Sequence, residues 1–278
     1  MSLPAEHLAL LRCPSCRGEV KDAGAEGLRC ASCPRKFPIR DGVVQMLPEE
    51  PKAGGGWGVN LGEESKQKDP AGNGAEKPNY EFGRFEAKAS SRRKNDRERG
   101  IVDWFLATLP SGAAVLDAPC GMGRFSDLAL ARGAKLVSVD LAFEHAAYAA
   151  GRETGKSPLC IQGDLTALPL RNDAAAAALV IRVSHYFDDE TLQRVLVEAG
   201  RVAPEVLLSY RSSRSPIAWR SALLRRLRGR GPSPKTNRSL AEIVAVAGAA
   251  GLELVERPPR SSFFHLVQFV RLRRRPLP

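Results

Sequence analysis

The sequence predicts an α/β protein with a doubly wound, mostly parallel sheet and a small cysteine-containing module before it. From about Tyr80 onward, strand-like apolar segments alternate with helix-like amphipathic segments, which is typical of a parallel sheet covered on both faces. Two consecutive strand-like segments end the chain and predict a C-terminal β-hairpin at one edge of that sheet. Two Cys-x-x-Cys pairs near the start predict the separate small module.

Each predicted element follows from its apolar pattern. A helix over residues 86–109 places Ile101, Trp104 and Phe105 near one face. The seven strands predicted after it cover residues 113–118, 136–140, 158–162, 176–183, 206–210, 252–256 and 264–271. The helices predicted between them cover residues 124–132, 143–152, 188–202 and 239–250. This alternation predicts a seven-stranded sheet.

Composition divides the chain into a module over residues 1–48, a linker over 49–78 and a large domain over 79–278. The linker is rich in glycine and charge and almost lacks apolar residues, so it cannot bury enough surface to order itself. The chain contains no apolar run long enough to span a membrane and no secretory signal pattern. A cytoplasmic location is therefore expected.

The four cysteines near the start have the spacing of a zinc site. Cys13 and Cys16 form one pair, Cys30 and Cys33 the other, and thirteen residues separate the pairs. Two such turns can direct four thiolates at one tetrahedral ion. A module of roughly fifty residues with few large apolar side chains needs a bound metal of this kind to stay folded. We expect structural zinc with no open position for catalysis. A redox pair or a module without metal are the alternatives.

A glycine turn joins the first predicted strand of the sheet to a helix, the position where doubly wound sheets bind ligands. Gly121 and Gly123 allow close approach of backbone and ligand, and Asp117 ends the strand beside them. A dinucleotide-binding loop needs a third glycine where this chain has Ser126, and pyrophosphate would be repelled by Asp117. A sulfonium ligand with an ammonium group suits that carboxylate better.

Two more carboxylates follow the next predicted strands. Asp140 ends the second strand, where a carboxylate accepts hydrogen bonds from ribose hydroxyls. Asp164 follows the third strand and is positioned for an adenine amino group, with Leu165 supplying a backbone N–H. The three acidic residues together predict a site for an adenosyl sulfonium.

Residues 113–183 resemble the class I S-adenosylmethionine-dependent methyltransferase family, particularly its small-molecule and ubiquinone-biosynthesis-like branch. The resemblance rests on residues 115–123, on Ser-Val-Asp-Leu at 138–141 and on Gly-Asp-Leu at 163–165. It implies a Rossmann-like domain with S-adenosylmethionine as cofactor, although proline stands at position 119 where the family usually has glycine. The cofactor-binding residues that it implies are Asp117, Pro119, Cys120, Gly121, Gly123, Asp140, Leu141, Asp164 and Leu165.

The segment after the second cysteine pair, residues 37–48, resembles small zinc-ribbon proteins that activate methyltransferases. The layout of a zinc module followed by a methyltransferase also resembles bacterial enzymes that methylate a guanine of large-subunit ribosomal RNA. Zinc-ribbon fusions occur on other methyltransferases as well. The layout therefore leaves RNA open as a substrate.

Positive charge is concentrated in the C-terminal quarter. Residues 201–278 carry sixteen basic and four acidic side chains, and an arginine-rich insertion covers 211–238. In this fold the insertion would lie above the cofactor, where substrate enters. A basic amphipathic helix there can hold RNA phosphates, lie on anionic lipid, grip an acidic substrate or serve only as a packed lid.

His185 and Tyr186 are the candidate catalytic residues because they follow the fourth strand near the expected methyl group. His185 could accept a proton from a hydroxyl or amine, and Tyr186 could position it. The sequence favours a methyltransferase acting on a small or lipid-like metabolite. An RNA base methyltransferase and a non-catalytic cofactor-binding scaffold are the alternatives.

Overall fold

The computed structural model describes residues 3–48, 89–152, 158–229, 231, 233, 235–259, 261–262 and 264–276. The predicted linker lies outside these residues. Among the helices that are described, none is both long and apolar enough to cross a membrane.

The N-terminal module contains one short α-helix and five short strands, besides a 3₁₀ turn over Gly24–Glu26. In chain order they are α1 (Ala5–Leu10), β1 (Val20–Asp22), β2 (Leu28–Cys30), β3 (Lys36–Phe37), β4 (Ile39–Arg40) and β5 (Val43–Gln45). Strands β1, β2 and β3 form a small antiparallel sheet in that order. Strands β4 and β5 are not part of this small sheet and belong to the large one.

The rest of the described chain alternates between helix and strand. The helices are α2 (Ala89–Leu106), α3 (Ser126–Ala131), α4 (Phe143–Arg152), α5 (Asp189–Val202), α6 (Pro216–Leu227) and α7 (Leu240–Ala249). The strands are β6 (Ala114–Asp117), β7 (Lys135–Asp140), β8 (Leu159–Gln162), β9 (Ala177–Val180), β10 (Glu205–Arg211), β11 (Leu252–Glu256) and β12 (Val267–Arg274).

These seven strands form the predicted doubly wound sheet, and the described residues extend it to nine strands in the order β11-β12-β10-β9-β6-β7-β8-β5-β4. Strands β10, β9, β6, β7 and β8 pair in parallel, whereas β12 runs antiparallel to both β10 and β11. The α/β fold and its C-terminal antiparallel strands are confirmed. The chain order reverses between β6 and β9, which places the ligand crevice at their carboxyl ends.

The extension of the sheet by the N-terminal module was not predicted. Strand β5 pairs in parallel with β8, with Val43 opposite Cys160 and Gln45 opposite Gln162. The N–H of Met46 then donates to the carbonyl of Gln162 at 2.8 Å. The module therefore completes one side of the sheet that carries the candidate site.

Apolar packing also joins the module to the sheet. Leu11, Phe37 and Met46 are fully buried and belong to the same core cluster as Leu116 and Leu170. On the other face a second cluster holds α2 and α3 against the sheet. The buried module residues share one core with the large domain.

The predicted strand over 176–183 ends earlier, at Val180. Arg182 has a φ of +64°, in the left-handed region, so the backbone cannot continue as a strand there. A 3₁₀ turn over Ser184–Tyr186 follows, and Asp188 caps α5 by accepting a hydrogen bond from the N–H of Thr191 at 2.8 Å. The last strand likewise begins later than predicted, at Val267, and runs to Arg274.

Candidate functional site

The three predicted carboxylates lie at the carboxyl ends of three adjacent parallel strands. Asp117 is the last residue of β6 and Asp140 the last residue of β7, and Asp164 follows β8. Asp140 stands opposite Gln162 in the register of β7 and β8. All three side chains are at least nine-tenths buried, so the strand order gathers them along one edge.

The glycine turn adopts the backbone that the sequence required. Gly121 and Gly123 have φ values of +52° and +69°, which favour glycine. A Cβ on Gly123 would lie 3.0 Å from Oγ of Ser126, so a side chain there would crowd the start of α3. The N–H of Gly121 donates to Oδ2 of Asp140 at 2.8 Å.

Asp140 is held by backbone donors on both of its oxygens. Its Oδ1 accepts a hydrogen bond from the N–H of Ala142 at 2.9 Å, opposite the bond that Gly121 gives to Oδ2. His145 lies close, with Nδ1 at 3.4 Å from Oδ1. Each carboxylate oxygen has a second lone pair, so the oriented group can still accept bonds from a diol.

Asp117 has a carboxylate oxygen whose hydrogen-bonding capacity is unsatisfied. It is 1% exposed, and its Oδ2 has no hydrogen-bond partner among the described residues. Burial, and then the charge of Asp140, raise the pKa of Asp117 to about 8. A buried acceptor without a donor costs free energy, and a cationic ligand would supply the missing charge. The acidic residues at this edge of the sheet therefore fit a sulfonium and ammonium compound.

Asp164 caps a short 3₁₀ helix, Leu165–Ala167. Its Oδ1 accepts hydrogen bonds from the N–H and the hydroxyl of Thr166, both at 2.8 Å. These bonds fix the carboxylate and do not use Oδ2. Leu165 is buried directly after it.

The other predicted cofactor residues shape the turn. Pro119 is half-buried, whereas Cys120 is buried, and its N–H donates to the carbonyl of Val139 at 2.9 Å. Burial, followed by the nearby carboxylates, raises the pKa of the Cys120 thiol well above its usual value, so the thiol stays protonated. Leu141 is half-buried, and its carbonyl accepts a hydrogen bond from Gln162 Nε2 at 3.1 Å.

His185 and Tyr186 lie in the 3₁₀ turn after β9, with ring centroids 4.3 Å apart. His185 is 6% exposed, and burial, followed by Lys235 and other cations, lowers its pKa to about 3. Lys235 lies over the Tyr186 ring at 4.9 Å, and the N–H of Thr236 donates to the carbonyl of His185 at 2.9 Å. The end of the basic insertion thus contacts the candidate catalytic pair.

Sequence reasoning missed an ion-pair cluster centred on Glu98 in α2. Glu98 is 1% exposed, and its carboxylate lies 2.7 Å from both Arg124 and Arg182. Arg124 follows the glycine turn, and Arg182 follows β9, so the cluster links the two loops that border the crevice. No local pattern signals it, because Glu98 lies in a helix that is charged along most of its length.

The four cysteines converge as predicted. Their sulfur atoms all lie within 4.8 Å of one another, with 3.7 Å between Cys13 and Cys33 and 3.5 Å between Cys16 and Cys30. Four thiolates about 2.3 Å from one zinc ion stand about 3.8 Å apart. The N–H of Ser32 donates to Sγ of Cys30 at 3.3 Å, which orients that sulfur. The donor set and its spacing fit a closed, tetrahedral metal site.

Comparisons with known families agree with this geometry. Residues 115–205 match a family described as methyltransferase domain, and residues 5–42 match a family described as Trm112p-like protein. A comparison with curated protein sequences gave no significant match.

Solved structures share the fold at low sequence identity. Magnesium protoporphyrin IX methyltransferase from Synechocystis PCC 6803, with bound S-adenosylhomocysteine, is 17% identical with a TM-score of 0.55, over 70% of this chain and 94% of that one. The same enzyme with S-adenosylmethionine is 16% identical with a TM-score of 0.52, over 70% and 89%. Mitomycin 7-O-methyltransferase is 20% identical with a TM-score of 0.51, over 70% of this chain and 60% of that chain.

The fold, the strand-end carboxylates and the family match define an S-adenosylmethionine-dependent methyltransferase. The chain contains a class I methyltransferase domain and carries an N-terminal Trm112p-like module with a four-cysteine cluster.

Proposed function

We propose that this methyltransferase modifies a small or lipid-like metabolite and that its cysteine cluster holds a structural zinc ion. When bound, S-adenosylmethionine supplies a methyl group to a nucleophilic atom of the acceptor. The observation that carries the proposal is the alignment of Asp117, Asp140 and Asp164 at the carboxyl ends of adjacent strands, beside the Gly121–Gly123 turn. Orientation of the acceptor accounts for most of what the protein contributes to such a displacement.

Each carboxylate has a separate proposed role. Asp140, already oriented by two backbone N–H groups, would accept hydrogen bonds from the ribose hydroxyls. Asp164 would accept from the adenine amino group through Oδ2, and the buried Asp117 would face the cationic methionine end. The remaining residues proposed to line the cofactor are Pro119, Cys120, Gly121, Gly123, Leu141 and Leu165.

His185 and Tyr186 are proposed to act on the methyl acceptor. The low pKa of His185 keeps its ring neutral, so the ring can accept a hydrogen bond from a hydroxyl or amine. The same low pKa makes it a weak proton acceptor, which favours positioning over proton removal. Tyr186 is 43% exposed beside it and can contact an entering substrate.

The proposed organisation assigns residues 1–48 to the zinc module, 49–78 to the linker and 79–278 to the methyltransferase domain. All four ligand positions of the zinc would be filled by Cys13, Cys16, Cys30 and Cys33, so the ion would not take part in catalysis. Its contribution would be to the folding of the module.

Two solved relatives motivate the metabolite class, since one carries the name magnesium protoporphyrin IX methyltransferase and the other mitomycin 7-O-methyltransferase. The side chain of Arg211 is half-buried and that of His185 is buried. Enclosed side chains of this kind suit a compact acceptor better than an extended one. RNA remains the alternative, because the insertion over 211–238 is strongly basic.

Asp140→Ala tests the cofactor site. In calorimetric titration with S-adenosylmethionine, we expect binding to be lost while the melting temperature stays near that of the native protein. Glu144→Gln, an exposed acidic residue in the next helix, is the matched control and should bind normally. Retained affinity in Asp140→Ala would refute the ribose assignment.

The acceptor class is tested by incubating the native protein with radiolabelled cofactor and three separate extracts: small molecules, lipids and RNA. We expect label in the first or second. Label confined to RNA, and lost at raised salt, would replace the metabolite proposal with the RNA alternative. Cofactor binding without label in any extract would favour a non-catalytic scaffold.

A further inference from the structure

Helix α6 is exposed over nearly its whole surface. Ala218 is its buried residue, whereas Trp219, Leu223 and Leu227 are 64%, 57% and 73% exposed. Residues spaced by four lie above one another on a helix, so these three side chains form one apolar stripe. A contiguous apolar stripe of this kind on a folded domain marks a surface that another structure covers.

The chain around this stripe is uniformly positive. Residues 211–238 contain nine basic and no acidic side chains. Arg220, Arg226 and Arg228 are exposed on and after α6, beside the stripe. Any partner of this surface must therefore accept apolar side chains and also carry negative charge.

Phe264 enlarges the apolar surface near the start of the helix. It is 63% exposed, and its carbonyl accepts a hydrogen bond from the hydroxyl of Ser215, the N-cap of α6, at 3.3 Å. The backbone of Phe264 thus lies beside the N-terminus of α6.

The positive charge and the apolar stripe of this surface together indicate which partner binds it. A second copy of this chain would bring two sets of basic residues together without any acidic partner in the segment. RNA would pair with the arginines but leave the leucine stripe in water. The boundary layer of an anionic membrane satisfies both, because it accepts leucine and tryptophan into its acyl region while its phosphates meet arginine side chains.

We propose that α6 and Phe264 form a docking surface for membranes that contain anionic lipid. The stripe of Trp219, Leu223 and Leu227 enters the headgroup boundary, and the flanking arginines contact lipid phosphates. Lys235, at the end of the same insertion, lies over the ring of Tyr186. The inference does not depend on the methyl acceptor, and it is tested without catalysis.

The experiment uses the full chain and two kinds of vesicle, phosphatidylcholine alone and phosphatidylcholine mixed with phosphatidylserine. We expect cosedimentation and a blue shift of tryptophan emission with the mixed vesicles only, both weakening as salt is raised. Trp219→Phe should remove most of the shift and keep the cosedimentation.

Leu223→Ser combined with Leu227→Ser should lower vesicle partitioning by at least about tenfold, because two exposed leucines no longer enter the bilayer. Both side chains are exposed, so the fold should be kept, as an unchanged melting temperature would verify. Val197→Ser, a 45% exposed apolar residue in α5, is the matched control and should partition normally.

Three results would overturn the proposal. The first is no binding to the mixed vesicles. The second is equal partitioning of the double leucine variant, with single-stranded RNA competing fully, which would assign the surface to RNA. The third is self-association of the native protein that the double leucine variant abolishes, which would make the stripe an interface between copies.

Discussion

Arg17 of the N-terminal module and Glu198 of α5 form an ion pair, with 2.7 Å between Nη2 and Oε2. The same guanidinium donates through Nη1 to the carbonyl of Leu168 at 2.7 Å. Glu198 is 7% exposed and also pairs with Arg201 at 2.8 Å. These interactions of Arg17 are therefore a second contact between the cysteine module and the large domain, separate from the β5–β8 pairing.

Arg17→Ala should lower the free energy of unfolding by about 1–2 kcal/mol, because a nearly buried carboxylate loses one of two partners. The effect stays modest since Arg17 is partly exposed and Arg201 remains. Denaturant titration measures it. Lys36→Ala removes an exposed pair with Glu26 inside the module and should change nothing measurable; equal losses in both variants would contradict the assigned role of Arg17.

Cofactor affinity should increase with pH through the titration of Asp117. Burial and Asp140 raise its pKa to about 8, so the free protein holds this carboxyl protonated at neutral pH. A cationic ligand favours the ionised form, and affinity should therefore rise by up to about tenfold between about pH 6 and about pH 7. Calorimetry in buffers of different ionisation enthalpy would also detect the released proton.

Asp117→Asn is the control for that pH dependence. The amide keeps the shape of the carboxyl but cannot ionise, so affinity should be weak and almost independent of pH over the same interval. A variant that kept the native slope would show that another group titrates.

Glu98→Gln should destabilise the fold by about 3 kcal/mol, because Arg124 and Arg182 would lose their buried counter-charge. Burial raises the pKa of Glu98, but the two arginines outweigh it and the folded-state pKa is lowered. The stabilisation is therefore present above the unfolded-state pKa and is lost as pH falls through the folded-state value. The denaturation curves of the native protein and Glu98→Gln should differ at neutral pH and converge at acidic pH, whereas the curve of Glu144→Gln should match that of the native protein at both.

Cys30→Ser should abolish the proposed zinc binding and lower the melting temperature of the whole protein by at least roughly 5 °C. The whole protein is affected because the module shares its apolar core and a sheet edge with the large domain. Elemental analysis and calorimetric melting measure both effects. Ser15→Ala, an exposed position between two ligands, should keep the metal; two separate melting transitions would contradict a shared core.

Much of the large domain was predictable because its signals are local. The alternation of apolar strands with helices fixed the seven strands in order, and the strand ends located Asp117, Asp140 and Asp164. The cysteine cluster followed from the spacing within and between two pairs, since four thiolates at those intervals have few other arrangements.

The contacts that were missed are distant along the chain. Strand β5 has three residues, too few for a periodic pattern, and its partner β8 begins more than one hundred positions later. Glu98 and Arg182 are separated by 84 positions, and nothing in the charged sequence of α2 distinguishes this glutamate from its neighbours. The early end of β9 depends on the left-handed backbone of Arg182, a conformation that an arginine in the sequence does not indicate.

The position of β5 has a consequence for any attempt to divide the molecule. Without the first 48 residues, β8 would become an outer strand with open N–H and carbonyl groups, directly before the loop of Asp164. Unprotected strands of this kind recruit other chains. We therefore expect an isolated methyltransferase fragment to associate through β8, and pairing with β5 to suppress that association in the full chain.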